Sequence, residues 1–460
     1  MKDFYKLIRY NTGTDKKLFA EFSNEFDAVL MNATIVAYSG SAMADLITVY
    51  KDMYIIDPQT YILQQNYELL KSSASKDGGI KKSIVKYLEI LPSIFLKTLN
   101  DRSSISTQMI EDNLDELVKQ VGEFELNYIS SFIKTKEYNK YLEFIDENED
   151  GAVGKPQPKM IIAPYFMLKD SYNTNENKVW LDINRQSIVK FIQKFKPTNY
   201  PIAGQLVMGK DVLENISTSG LLEYIIKTYA DIDFEYFYVW VDDFSPIESD
   251  IKISKAFATL IKELNNIGKK PIMAYGGYDS ILLCHKDAPT KMYGVAQSVG
   301  YGEKRQITPV GGGLPVNKYY FLPTHQRLKT EDISSILSAK GYFDRRKTAR
   351  ERAEEFYKNI CNCKQCQKII GKNFDKFSLY FNAKPFTMKN GISRNRPTQE
   401  ALDISARHFL FCKVKEWDSI VNETFENLIQ TYKSNIDEYG RYYERSLYSH
   451  VLSWITNYAE

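Results

Sequence analysis

Apolar residues come along this chain in short blocks rich in β-branched and aromatic side chains, each closed by polar residues or glycine. The blocks are ATIVAYSG (33–40), MYIIDPQT (53–60), KMIIAPYFML (159–168), YPIAGQLVMG (200–209), EYFYVWVDDF (235–244), KPIMAYGGYD (270–279), KMYGVAQSVG (291–300) and NKYYFLPTHQ (317–326). They are continuous runs rather than alternations, the pattern of parallel strands buried on both faces. Helical periodicity lies between several of them, as in LLEYIIKTYA (221–230) and KISKAFATLIKELNNIG (252–268). Strands alternating with helices predict an α/β fold, and about eight of them predict a closed (β/α)8 TIM-type barrel. An open doubly wound sheet is the alternative, and the glycine-rich phosphate fingerprint that would favour it is missing after the first run.

Two regions break the rhythm. Residues 61–150 are helix-rich and charged and end in DENEDGAVGKPQPK, which reads as an insertion after the second run. Residues 345–460 carry a cysteine cluster, the loop-rich NAKPFTMKNGISRNRPTQE and a helical tail. The expected organisation is a barrel over 1–344, with the helical insertion at about 61–150, followed by a C-terminal subdomain over 345–460.

Composition narrows the function classes. The chain has 460 residues and a formal net charge of +2, so any nucleic-acid surface is a local patch and not a global charge. Tyrosine is abundant, at 33, and in a chain of this size is more often core than a stacking surface. The N-terminal MKDFYKLIRYNTG lacks the apolar core of a signal peptide and no apolar run is long enough to cross a membrane, so the expectation is a cytoplasmic protein with no membrane partner. Cysteines there stay reduced, which favours metal binding or catalysis over disulfides.

Three of the five cysteines fall within YKNICNCKQCQKII, as Cys361, Cys363 and Cys366. Thiols at this spacing converge on one ion if the chain turns tightly, and a closed set of four S/N ligands is the signature of structural zinc. The fourth ligand is His408, in ALDISARHFLFCKVKEW, with Cys412 one helical turn further as its rival. The bland reading is a set of small buried hydrophobes.

The order Cys-x-Cys-x-x-Cys and then a histidine opening a helix, after a series of barrel-like strands, resembles the zinc site of the tRNA-guanine transglycosylases. Other segments follow that family in the same order. YIIDPQTY looks like its aspartate-containing strand, with Pro58-Gln59-Thr60-Tyr61 replacing Ser-Gly-Gly-Phe-Gln. VWVDDFSP is similar to its Phe-Asp-Glu-Cys-Thr-Pro, and IMAYGGYD to its Ile-Val-Gln-Gly-Gly, with Tyr275 in place of glutamine. The stretch ending in GYFDRR tracks the segment that leads to the family's catalytic Phe-Asp. The departures, among them the insertion after Asp57 and the longer gap from Cys366 to His408, make it closer to the DpdA-like branch that exchanges guanine in DNA for a 7-deazaguanine.

The resemblance implies a double displacement like that of a retaining glycosidase. Asp344 is then the covalent nucleophile and Asp57 the general acid/base; the bland reading of each is a loop turn or helix cap. Asp242, with Asp243 beside it, would accept the guanine N1–H and N2–H₂ donors. Gly276 and Gly277 would let backbone approach the base, and Tyr275 would stack on it. VGGGLPV (310–316) reads as a mobile loop near the pocket. Arg345, Arg346, Lys347, Arg350 and Arg352 form the densest basic stretch and would hold phosphates, or else pair with Glu351, Glu354 and Glu355 on a solvated helix face. The implied partners are DNA, with tRNA as the alternative, a 7-deazaguanine base, and proteins that open the duplex so that the target base can flip out. A rival of another class is a non-catalytic zinc-containing nucleic-acid-binding protein.

Overall fold

The computed structural model describes residues 4–11, 15–49, 53–72, 78–133, 157–245, 248–299, 303–307, 316–387, 391–442 and 452. The acidic stretch from Asp146 to Pro156 and most of VGGGLPV lie outside the described residues. The chain divides into two units. The first comprises 1–243, 259–275 and 291–298, and the second 244–258, 276–290 and 299–460. The second unit thus takes in chain well before residue 345, where the C-terminal subdomain was expected to begin.

The first unit is built on strands β1 (Tyr5–Tyr10), β2 (Ala28–Asn32), β3 (Met53–Asp57), β4 (Gln157–Pro158), β5 (Ile161–Ile162), β6 (Ile202–Met208), β7 (Tyr236–Val241), β8 (Lys270–Met273) and β9 (Gly294–Ser298). All pair in parallel, in the order β4-β3-β2-β1-β9-β8-β7-β6-β5. The two ends of this sheet are consecutive pieces of one segment: Gln157–Pro158 pairs with β3 and Ile161–Ile162 with β6. That segment therefore occupies one position between β3 and β6, and the sheet runs around a nearly closed TIM-like ring. Each position contributes a fully buried aliphatic side chain: Leu7, Val29, Ile55, Ile162, Leu206, Val239, Ile272 and Val295. Each such burial stabilises the fold by roughly 1.5–3 kcal/mol.

The ring is made from partly different residues than the apolar runs predict. ATIVAYSG is not a strand. Ala33–Tyr38 is helical and buries Ala33, Val36 and Ala37, spaced i, i+3 and i+4. The strand is the apolar half-run just before it, Ala28–Asn32. NKYYFLPTHQ does supply a strand, β10 (Lys318–Phe321), but it pairs antiparallel with β11 (Gln326–Lys329) in a separate two-stranded sheet of the second unit. KMIIAPYFML yields only the two residues of β5, because Pro164 has no N–H to continue a ladder. β1 escapes the pattern because Lys6 and Arg9 interrupt YKLIRY.

The insertion after β3 is helical where it is described, with Lys82–Leu88, Ser93–Asn100, Thr107–Asp112 and Leu114–Ser131 as its main helices. The second unit is carried by the helices Thr330–Ala339, Ala349–Asn359, Lys364–Ile370, Gln399–Asn422 and Phe425–Tyr439. It also holds a second hairpin, β12 (Ala383–Thr387) with β13 (Ser393–Pro397). Among the described residues no helix is long and apolar enough to cross a membrane.

Candidate functional site

In parallel barrels the C-terminal ends of the strands present side chains to the mouth. Here that rim receives Arg9 from β1, Asn32 from β2 and Asp57 from β3, with Tyr165 following β5, Asp242 following β7 and Tyr275 following β8. Asp57 is fully buried, a position a carboxylate tolerates only with partners. It has three. Arg9 Nη2 donates at 2.8 Å, the Tyr165 hydroxyl at 2.7 Å and the Gln59 N–H at 3.2 Å. Arg9, itself buried, spends its other donors on the Ala274 carbonyl (2.9 Å), Asn32 Oδ1 (2.8 Å) and the Tyr275 hydroxyl (2.7 Å).

Burial and the charge of Asp57 push the Tyr165 hydroxyl well above its ordinary pKa, so it stays a donor. The Arg9 guanidinium also lies 4.0 Å from the Tyr275 ring centre, and Tyr275 in turn packs on Trp240 at 4.9 Å. Gln59, the residue that caps Asp57, sits in the left-handed region at φ 50°. Asp242 is half-buried directly after β7, its N–H bonded to the Met208 carbonyl, and Asp243 follows at φ 44°. On β6 the buried amide of Gln205 has no hydrogen-bond partner among the described residues. A bound molecule or water satisfies such a group.

Of the residues singled out for base recognition, Asp242, Asp243 and Tyr275 belong to the first unit and Gly276 and Gly277 to the second. Tyr275 is engaged by Arg9 and Trp240 and is only 3% exposed. A Cβ on Gly277 would lie 2.8 Å from Asp279 Oδ1, so this glycine lets the chain pass a carboxylate.

Asp344 belongs to the second unit. It sits in the turn after Thr330–Ala339, accepts from the Arg346 backbone N–H at 2.9 Å, and is held by the Arg346 guanidinium at 2.7–3.1 Å. Those hydrogen bonds bring its pKa down to about 2. The basic stretch beside it is largely paired. Lys347 meets Glu355 at 2.6 Å, Arg350 meets Glu354 at 2.8 Å and Arg352 meets Asp375 at 3.0 Å. Arg345 is exposed. This is the arrangement of a solvated helix face with its own counter-ions.

The cysteine cluster is a metal-capable centre. The ligand atoms of Cys361, Cys363, Cys366 and His408, all buried, lie within 4.8 Å of one another. Cys363 Sγ and Cys366 Sγ are 3.3 and 3.4 Å from His408 Nδ1. Ligands about 2.1–2.3 Å from one tetrahedral ion stand on the order of 3.5 Å apart. Local folding prepares the set. Cys363 caps the helix Lys364–Ile370, its sulfur accepting the Cys366 N–H at 3.4 Å. His408 projects from Gln399–Asn422, stacked on Tyr319 at 4.2 Å. Its Nε2–H donates to the Tyr320 carbonyl at 2.7 Å, so Nδ1 is the ring nitrogen that faces the thiols. Hydrogen bonds from Cys361, Cys366 and Cys412 hold the Cys363 sulfur well below the usual thiol range. Cys412 stays outside the four-ligand set, 3.9 Å from Cys361 Sγ. All five cysteines are free of disulfides.

The second unit holds another buried polar group that the sequence reading missed. Lys413 Nζ is enclosed by Glu303 (2.8 Å), Glu416 (2.9 Å) and the Tyr320 hydroxyl (2.7 Å). Glu416 also accepts from Tyr320 at 2.5 Å and meets His325 Nδ1 at 2.6 Å. Burial lowers the His325 pKa despite Glu416. His325 stacks on Tyr278 at 3.3 Å and lines a cleft of about 270 Å³ with Leu322, Asn359, Ser419 and Thr431. A charge inside an otherwise apolar helical run, Lys413 in FLFCKVKEW, was the available signal.

No family model, curated protein or solved structure matches this chain.

Proposed function

We propose that the protein is a base-exchange transglycosylase that replaces guanine in a polynucleotide by a 7-deazaguanine, with DNA as the preferred substrate and tRNA as the alternative. The observation that carries this reading is the convergence of Cys361, Cys363, Cys366 and His408, the four residues the resemblance names as one zinc site. The parallel ring with Asp57 at its rim is further support.

In this reading zinc, when bound, is structural: four protein ligands leave no open position, so it supplies orientation and no activated water. Asp344 leaves Arg346 and attacks the nucleoside C1′. The C1′–N9 bond breaks and its electron pair leaves with guanine, which takes a proton from solvent; the ring nitrogen of the incoming deazaguanine then gives its proton to the Asp57 carboxylate and displaces the aspartyl ester, freeing Asp344. Asp57, already an ion-pair acceptor for Arg9, offers its carboxylate to the proton in transit. Asp242 accepts the base's N1–H and N2–H₂.

The test incubates the protein with 7-cyano-7-deazaguanine and either DNA or tRNA, followed by nucleoside analysis. Incorporation into DNA is expected, and Asp344→Ala abolishes it. Incorporation into tRNA alone would exchange the substrate, and activity retained by Asp344→Ala would remove the nucleophile assignment.

A further inference from the structure

The longer gap between Cys366 and His408 is occupied in part by the hairpin β12–β13. Every residue of β12 is exposed, as are Ser393 to Arg396 of β13. Its register sets Lys384 opposite Arg396 and Phe386 opposite Arg394. Residues directly opposite share a face, as do residues two apart along a strand. One face therefore gathers Lys384, Phe386, Arg394 and Arg396, while Pro385, Thr387, Ser393 and Asn395 take the other.

Like charges directly opposite destabilise a hairpin, and a two-stranded ribbon exposed on both faces is marginal to begin with. None of Lys384, Arg394 and Arg396 has a carboxylate partner among the described residues, and the sequence from Asn382 to Thr398 contains no Asp or Glu. Among the described residues the only cation–π contact of this face runs within it, Arg396 lying 6.0 Å from the Phe386 ring centre. Elsewhere in the unit comparable cations are neutralised, as Arg346, Lys347 and Arg350 are.

We propose that this β12–β13 face is a binding surface for a polynucleotide, its three cations meeting phosphates and Phe386 stacking on an unpaired base. The proposal deepens the base-exchange reading and rests on it for the choice of nucleic acid over another polyanion. The physics fits that occupant. A two-stranded ribbon is narrow enough for the DNA major groove, cations gain affinity by releasing counter-ions, and an aromatic beside a guanidinium is a platform for a splayed base. Edge cations and prolines also deter strand-to-strand aggregation, but that purpose does not require them to share one face with an aromatic.

The experiment uses the full chain and measures binding to a duplex oligonucleotide and to its separate strands over a series of salt concentrations. Lys384→Gln/Arg394→Gln/Arg396→Gln is expected to weaken binding and to reduce the slope of log K against log salt by about 2–3, at roughly 0.7–0.9 per lost phosphate contact. Phe386→Ala is expected to weaken single-strand binding about tenfold with the slope unchanged. All these positions are exposed, so circular dichroism and metal content should match the parent. No DNA binding by the parent, or a wild-type slope in the triple variant, overturns the proposal. The deazaguanine assay separates the two readings. A slope loss without base incorporation removes base exchange and leaves the ribbon; incorporation with an unchanged slope does the reverse.

Discussion

Both units bury polar chemistry, the first around Asp57 and the second around Cys361, Cys363, Cys366 and His408, but the two clusters are built on opposite terms. At the barrel rim donors and acceptors complete one another: Arg9 and Tyr165 donate to Asp57, and Arg9 also serves Asn32, Tyr275 and the Ala274 carbonyl. At the cysteine cluster three sulfurs and the His408 Nδ1 face one another, and the histidine's Nε2–H donates away from them, to Tyr320. Three buried sulfurs and an imidazole nitrogen within 4.8 Å of one another match the ligand set of a metal ion, whereas the Asp57 cluster is an ion pair closed by its own members.

The largest effect expected from this contrast is on the metal. The protein as isolated should contain about one zinc per chain, and a strong chelator should unfold the second unit, since structural zinc sites contribute on the order of 10 kcal/mol. His408→Ala should lower metal content and melting temperature together. Normal melting of metal-free protein would erase the contrast between the clusters.

Next in size is Arg9→Met, which strands the Asp57 carboxylate in a dry environment and should cost roughly 3–5 kcal/mol in urea unfolding. Adding Asp57→Leu should recover much of that loss, because the buried carboxylate that Arg9 neutralises is then gone. Failure of the double variant to recover would show that Arg9 stabilises the fold through Asn32, Tyr275 and the Ala274 carbonyl and not through Asp57.

Asp279, in the second unit, is an intermediate case. Burial, assisted by the charge of Glu303, pushes its carboxyl up to about 7. The unfolded group titrates near ~4, so the native state holds the proton more tightly and stability falls as pH rises from about 4 to about 7, then levels off. The group's share is at most about 4 kcal/mol. Asp279→Asn should flatten that part of the pH profile; an unchanged profile would mean that Lys413 keeps Asp279 ionised throughout.

Much of the barrel was legible because parallel strands buried on both faces must be apolar throughout, as EYFYVWV and IAGQLVM are. What misled was local ambiguity. Ala28 to Tyr38 is an apolar stretch broken by Asn32 and Thr34, and its strand and helix halves differ in burial period more than in composition. YKLIRY hid its strand because Arg9, a charge inside the run, has its counter-ion 48 residues away. The basic stretch after Asp344 read as a phosphate-binding patch, while its neutralisation by Glu354 and Glu355 was visible as the alternative.

By itself the sequence determined those features whose partners lie close along the chain. Cys361, Cys363 and Cys366 are close enough along the chain to share one ion once it turns, and Arg350 finds Glu354 one helical turn on. Only the tertiary structure decided which strands close the ring, that Arg9 reaches Asp57 and Tyr275, and that His408 rather than Cys412 completes the thiol set. Those contacts join residues tens to hundreds of positions apart, and their geometry is set by strand register and helix packing, which no local pattern of polar and apolar residues encodes.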